Sequence, residues 1–316
     1  MCTAISCRLG GHYFGRNFDL ERGYGECVVV TPRNFPLAFR FVAGPSRRYA
    51  MIGTAAVVDN YPLYFEATNE MGLSMAALNF PESAAYGACV KGQKSIAPFE
   101  LIPFVLSACA SVTEARKCLD GIEIVDCNFS RSLCATPLHW IVADKNASVT
   151  VECTKRGLRV YENPFGVLTN EPPFPFHVAN VNRYMGLHEG TAINALSDRL
   201  PLVNHSLGLG AIGLPGDFSS ASRFVRAVFV KEKSVCDGSE AASVAQFFHI
   251  LRAVAMPRGC VLTAKGEHEY TRYSSCCNTD TGVYYYTTYD DLSVRQVSLR
   301  DADLDGNDLR VYPMNN

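Results

Sequence analysis

Residues 3–18 leave this chain little choice but a β-hairpin. Thr3, Ile5 and Cys7 alternate along one face, Gly10-Gly11 supplies a two-residue loop, and Tyr13 to Phe18 returns. If both glycines form the loop, Leu9 opposes His12 and paired positions sum to 21, which sets Cys2 directly across from Asp19. Further strand signals follow at Cys27–Thr31, Ala38–Val42, Ala50–Val58 and Leu63–Thr68. A turn at Asn69-Glu70-Met71-Gly72 then leads into Leu73–Asn79. Short turns between successive strands imply antiparallel pairing.

Helical signals come next. Pro98 suits a first helical turn, and Phe99, Ile102, Val105 and Leu106 form a stripe to about Ala110. Ser111-Val-Thr-Glu114 reads as a capping box opening a short helix through Cys118. Strands resume at Leu138–Ala143, Ser148–Glu152, Leu158–Tyr161 and Val167-Leu168. Three helices are expected at His177–Leu187, Ser220–Lys231 and Glu240–Ala255, and the Tyr- and Thr-rich tail from Gly282 to Ser298 reads as strands. No polar or Pro/Ser-rich linker divides this order. One α+β domain over 1–316 is expected, two antiparallel sheets covered by helices on both outer faces.

Composition excludes several functions. No apolar run reaches the ~20 residues a membrane-spanning helix needs. Arg8, Gly10, Gly11 and His12 interrupt any leader-like start, so no signal peptide is read. The net charge of −2 and scattered cations leave no footprint for nucleic acid; Arg47-Arg48 is a solvated pair. Thirteen cysteines without an export signal read as reduced thiols in the cytoplasm, and none has zinc spacing. Asp301-Ala-Asp303-Leu-Asp305-Gly306 imitates a calcium loop, but Tyr312 stands where the bidentate Glu belongs, so it is a polar turn.

Cys2 is the chemical feature. Removing Met1 would expose a cysteine with a free α-amine, placing a nucleophile and its base in one residue. An amine near pH ~7.7–8.0 and a thiol near ~8.5 both titrate close to neutrality. Taken alone, position two would favour a small apolar residue starting a strand. The returning strand brings charges to it. Asp19, across the hairpin, could hold the amine against the sulfur, and the cation of Arg16 would favour a thiolate. Parity points Arg16 and Asp19 to opposite faces, so both serve Cys2 only through a bulge or an irregular strand end.

The chain resembles the choloylglycine hydrolase family of N-terminal-nucleophile hydrolases. The resemblance runs nearly end to end. It is carried by Met1-Cys2-Thr3-Ala4, Gly15-Arg16-Asn17-Phe18-Asp19, Asn69-Glu70-Met71-Gly72-Leu73 and Leu78-Asn79-Phe80-Pro81. Later segments are Leu138-His139-Trp140, Val167-Leu168-Thr169-Asn170, His177-Val178-Ala179-Asn180 and the run from Gly213 to Phe224.

The resemblance implies a four-layer αββα sandwich with Cys2 heading an inner strand. It implies roles for Arg16, Asp19, Asn79, Asn170 and Arg223, and a cytoplasmic homotetramer without cofactors. It also implies an amide hydrolase acting on glycine- or taurine-conjugated bile salts. Asn79 separates this branch from the penicillin V acylases, which tend to carry Tyr there. Asn79 and Asn170 would donate to the oxyanion, although an Asn alone reads as a turn residue. Arg223 would reinforce the thiolate field, although an arginine off the apolar stripe reads as helix surface. Leu20, Val58, Phe65 and the 129–136 loop flank the matched motifs as a steroid wall, and Arg131 would meet the acidic end of the conjugated amino acid. Rivals are a penicillin V or N-acyl homoserine lactone acylase on the same machinery, a non-catalytic bile-acid or lipid binder, and a redox or metal-buffering protein.

Overall fold

A computed structural model describes residues 1–46, 48–90 and 92–314, so Arg47 of the basic pair lies outside the described residues. Two large antiparallel sheets form it. The first runs Val167–Leu168, Cys2–Leu9, Gly11–Leu20, His268–Asn278, Val283–Thr288, Arg295–Ser298, with Val261–Leu262 pairing beside His268–Asn278. The second runs Gly157–Glu162, Ser148–Thr154, Leu138–Ala143, Ser74–Asn79, Tyr61–Asn69, Met51–Val58, Cys27–Thr31, Arg310–Pro313.

Side-chain alternation explains how the layers stack. In the second sheet Ala76, Leu78, Ile141 and Ala143 join the core shared with the first sheet, while Met75, Ala77, Trp140 and Val142 pack with helices Leu101–Ala108 and Val112–Leu119. Both faces are apolar, so these strands show no polar face in sequence. Helices Ser220–Lys233 and Glu240–Arg252 cover the outer face of the first sheet through Phe224, Ala227, Phe247 and Leu251. The order is helix, sheet, sheet, helix. That is the αββα sandwich expected.

Several expectations need correction. Gly10 alone makes the hairpin turn, at φ 81°, and a Cβ there would stand 2.5 Å from the Gly238 carbonyl oxygen. Gly11 joins the strand opposite Leu9, so Cys2 pairs with Phe18 and Arg16 with Ala4. The expected register was off by one. Ala38–Val42 is not a strand. Its side chains anchor it instead: the Arg40 amide donates to Glu100, its guanidinium donates to Asn128 and Phe129 carbonyls, and Phe39 meets Phe104 edge-on. The helix expected at His177–Leu187 starts earlier and is shorter, Phe174–Val181 with a 3-10 turn at Asn182–Tyr184, because Pro173 and Pro175 open it. Ser111 caps its helix by accepting from the Glu114 amide, but Glu114 bonds the Ala110 amide rather than that of Ser111. Strand His268–Asn278 was missed because its buried residues are largely Thr, Ser and Tyr.

A buried histidine makes the fold acid-sensitive. His12 sits between Ser6 Oγ (2.9 Å) and Thr279 Oγ1 (2.7 Å), 3% exposed. Burial lowers its pKa to about 4, against the pull of Asp280 and Asp144. A depressed base favours the neutral form in the fold, so its contribution is complete above pH ~6.5 and drains away as pH falls toward about 4. Urea unfolding at pH 7 and pH 4.5 should therefore show wild type losing about 2 kcal/mol more than His12→Asn. Equal losses would contradict this.

Candidate active site

The two sheets bring Cys2 to the head of a strand hydrogen-bonded on both sides. It is 3% exposed. Its backbone N–H donates to Asn170 Oδ1 at 2.7 Å, and its carbonyl accepts from Arg223 Nη1 at 2.5 Å. Burial alone would suit an inert core thiol. The neighbours decide otherwise, because both arginines are wholly buried against it.

Arg16 shares the face of Cys2 through its pairing with Ala4. Its guanidinium is close enough to the Cys2 thiol for their charges to interact. Nη1 donates to the carbonyls of Ala77 (2.6 Å) and Phe65 (3.0 Å), while Nη2 has no protein acceptor. Burial opposes the Arg16 charge, but Cys2, Tyr273 and Glu66 outweigh it and the net shift is upward.

Asp19 stands on the nitrogen side. Its Oδ1 accepts from Thr271 Oγ1 at 2.5 Å, and Oδ2 is unpartnered. Burial pushes its carboxyl up, opposed by Arg223, the chain's terminal amine and Thr271. The expected irregularity is absent from the hairpin, which pairs regularly from Leu9–Gly11 to Cys2–Phe18; the register shift lies in the neighbouring strand, between Thr271 and Tyr273.

Asn170 ties the site together. Oδ1 accepts from Cys2 and from Arg223 Nη2 (2.8 Å), and Nδ2 donates to the Asn79 carbonyl (2.8 Å). Its backbone amide donates to Ser220 Oγ (2.8 Å) and its carbonyl accepts from His177 Nε2 (3.0 Å). It is therefore not a turn residue bonding its own backbone. One Nδ2 hydrogen stays free, and the side-chain oxygen holds the Cys2 nitrogen. Asn79, half-buried, ends strand Ser74–Asn79.

Arg223 is not on the helix surface as a lone arginine would read. Ser219 caps helix Ser220–Lys233 and Arg223, in the first turn, points inward to Cys2, Thr3 Oγ1 (2.7 Å) and Asn170. Burial lowers its pKa against the raising effect of Asp19 and Cys2.

Of the residues expected to form a substrate wall, Phe65 lies beside Arg16. Phe65 is half-buried, its ring 4.6 Å from Phe18 and 6.1 Å from Tyr24, beside the carbonyl that anchors Arg16. Leu20 and Val58 are half-buried at their strand ends. Arg131 is exposed in a loop closed by the Phe129 amide donating to Leu133. Two surface hollows, about 410 and 340 Å³, are lined by Arg33 and Arg48 rather than Cys2, and Arg33 is already paired with Glu70 and Asp305. Among the described residues no cluster of His, Cys, Asp or Glu could hold a metal ion. Thr271, Tyr273 and Glu269 were missed with their strand. Glu66 had a signal: it is the only charged residue of strand Tyr61–Asn69.

Comparison with known proteins agrees with this geometry. Residues 2–312 match the linear amide C–N hydrolases, choloylglycine hydrolase family. A bile salt hydrolase/transferase of Lactiplantibacillus plantarum is 48% identical over 314 residues, 99% of this chain and 97% of its own length. A bile salt hydrolase/transferase of Clostridium perfringens is 36% identical, covering 100% and 97%. The fold superposes on the solved structure of a variant of the conjugated bile acid hydrolase from Clostridium perfringens with TM-score 0.91 and 35% identity, over 100% of this chain and 97% of that one. Penicillin V acylase from Agrobacterium tumefaciens, at TM-score 0.75 and 20% identity over 98% and 90%, shares the fold.

Met1 itself is tightly seated. Its amine donates to the Asp19 carbonyl (2.8 Å) and pairs with Glu269, its carbonyl accepts from the Asp19 amide (3.1 Å), and burial lowers the amine's pKa. Cys2, Thr3 and Ala4 beyond the bond are at most 3% exposed. An aminopeptidase needs that stretch free. Chain folded with Met1 in place should resist methionine aminopeptidase and lose Met1 only after unfolding, read by intact mass. Removal from the native form at the rate for an unfolded peptide would contradict this.

Proposed function

The chain belongs to the choloylglycine hydrolase family of linear amide C–N hydrolases, and from that premise we propose how Cys2 and its neighbours perform the reaction. The protein hydrolyses the amide bond of glycine- or taurine-conjugated bile salts, releasing free bile acid and the amino acid. One observation carries the mechanism: the Cys2 nitrogen is fixed by Asn170 Oδ1 while Arg16, wholly buried, shares the sheet face of Cys2. Without Met1 that nitrogen is an α-amine in the same place. It takes the thiol proton, and the thiolate attacks the amide carbon.

The oxyanion that forms is held by the free Nδ2 hydrogen of Asn170 and by Asn79. The α-ammonium then protonates the leaving nitrogen of glycine or taurine, which departs and leaves a thioester. The neutral amine next accepts a proton from water, and the resulting attack releases the bile acid and restores the thiol. Asp19 and Arg223 keep the amine oriented. Phe65, Leu20 and Val58 offer apolar surface to the steroid, and Arg131 meets the carboxylate or sulfonate of the conjugate.

Residues 1–316 are read as one domain, supported by a core shared between both sheets. Among the described residues no helix is long and apolar enough to cross a membrane. Thirteen unpaired cysteines suit a reducing cytoplasm. Met185, Ile193, Leu196, Val203 and Leu207, each at least 78% exposed, supply an apolar face for a homotetramer. Light scattering should then give four times the chain mass; a monomer in solution would remove that assignment.

Release of amino acid from glycine and taurine conjugates tests the assignment of roles. Asn170→Ala should lower kcat/KM about 100–1,000-fold with its circular dichroism unchanged. Arg131→Ala should change the ratio between the two conjugates. Near-normal rates in the first variant, or an unmoved ratio in the second, would each remove the role given to that residue.

A further inference from the structure

Glu66 is buried where a lone carboxylate would be very costly. It is 1% exposed, and it reaches from the second sheet across to three strands of the first. Oε2 accepts from Tyr273 Oη at 2.8 Å and stands 3.7 Å from Arg16 Nη1. Oε1 accepts from Tyr284 Oη at 2.6 Å and Ser275 Oγ at 3.1 Å. Tyr284 is fixed in turn by Thr54 Oγ1 at 2.5 Å, and Ser275 Oγ accepts from the Arg16 amide at 3.2 Å. Burial pushes the Glu66 carboxyl up while Arg16 and these hydroxyls oppose it; three hydroxyls donating to two oxygens mark it as the carboxylate. Arg16 thus has a carboxylate close by and shares its sheet face with Cys2.

We propose that Glu66 is a positioning residue that aims Arg16 at Cys2 and cancels part of its charge, setting the pH at which Cys2 becomes reactive. This rests on Cys2 being the nucleophile. An unopposed guanidinium would make the thiolate easy to form but weak in attack, since nucleophilicity falls with basicity at a Brønsted slope of about 0.4–0.5. At an effective dielectric of about 20, a carboxylate next to the guanidinium shifts that balance by about one to two pH units. The other charged or titratable groups facing the pair are the α-amine, Asp19, Arg223, Tyr273 and Tyr284; the two tyrosines donate to Glu66 and stay neutral, their pKa values raised by burial.

The test uses protein lacking Met1. Iodoacetamide alkylation of Cys2 is followed against pH on the N-terminal peptide by mass spectrometry, beside kcat/KM for glycine release from a glycine-conjugated bile salt. In Glu66→Gln the pH of half-maximal alkylation should fall by about one to two units, and the plateau kcat/KM should fall severalfold. Glu66→Asp, which keeps the charge, should retain the wild-type midpoint. An unmoved or raised midpoint in Glu66→Gln overturns the proposal and leaves Glu66 a packing residue. Should Glu66→Gln not fold, Arg16→Gln is compared with the Arg16→Gln/Glu66→Gln double variant, in which no charge of this pair is stranded. The double variant should titrate below the single one, and equal midpoints overturn the proposal. Wild-type Cys2 alkylated no faster than exposed Cys89 or Cys260 would overturn the nucleophile reading itself, and this one with it.

Discussion

One side-chain oxygen, Oδ1 of Asn170, fixes where the reacting residue's nitrogen lies. It receives the Cys2 N–H and an Arg223 N–H together, so the strand head, the loop after Val167–Leu168 and helix Ser220–Lys233 meet at a single atom. A loop asparagine holds such a position only if its backbone is fixed. Here Ser220 takes the Asn170 amide, His177 donates to its carbonyl, His139 Nε2 donates to the Thr169 carbonyl, and Glu152 accepts the Phe174 amide. His139 stacks on Phe80 at 4.2 Å and His177 on Phe224 at 4.8 Å, so the clamp is itself packed into the core. Rigidity of this kind suits catalysis, because the reacting atoms then need little rearrangement.

The electrostatics divide along the same residue. Arg16 and Glu66 stand on the sulfur side, Arg223 and Asp19 on the nitrogen side. Four wholly buried charged side chains would be prohibitive if unpaired. Arg16 stands against Glu66, Arg223 is held by the Cys2 carbonyl, Thr3 and Asn170, and Asp19 accepts from Thr271, which gives a polar wall inside a core that is otherwise apolar. The chemistry proposed needs both ends of Cys2 to exchange a proton, and each end has its own cation and carboxylate nearby.

Much of this was legible in the sequence, and the failures have physical causes. The hairpin could be read from Gly10-Gly11, but not which glycine takes the positive φ, and that choice shifts every partner by one. Arg223 looked like helix surface because the apolar stripe of Phe224, Val225 and Val228 does not include it. The helix, however, packs toward the Cys2 strand on that side as well. Strand His268–Asn278 escaped because Thr271, Ser274 and Ser275 are buried by bonding Asp19, Asn17 and Glu66, so hydrophobic periodicity carries no trace of it. Tertiary hydrogen bonds, which no local pattern encodes, decided the last two of these cases.

The central claim is that sulfur and nitrogen of the same leading residue act together on an amide. Rapid-quench mass spectrometry after mixing with a glycine-conjugated bile salt reads it directly. Enzyme lacking Met1 should carry a bile-acyl group on Cys2 within one turnover, and enzyme retaining Met1 should carry none. An acyl group on any other residue, or equal acylation with Met1 in place, would contradict it.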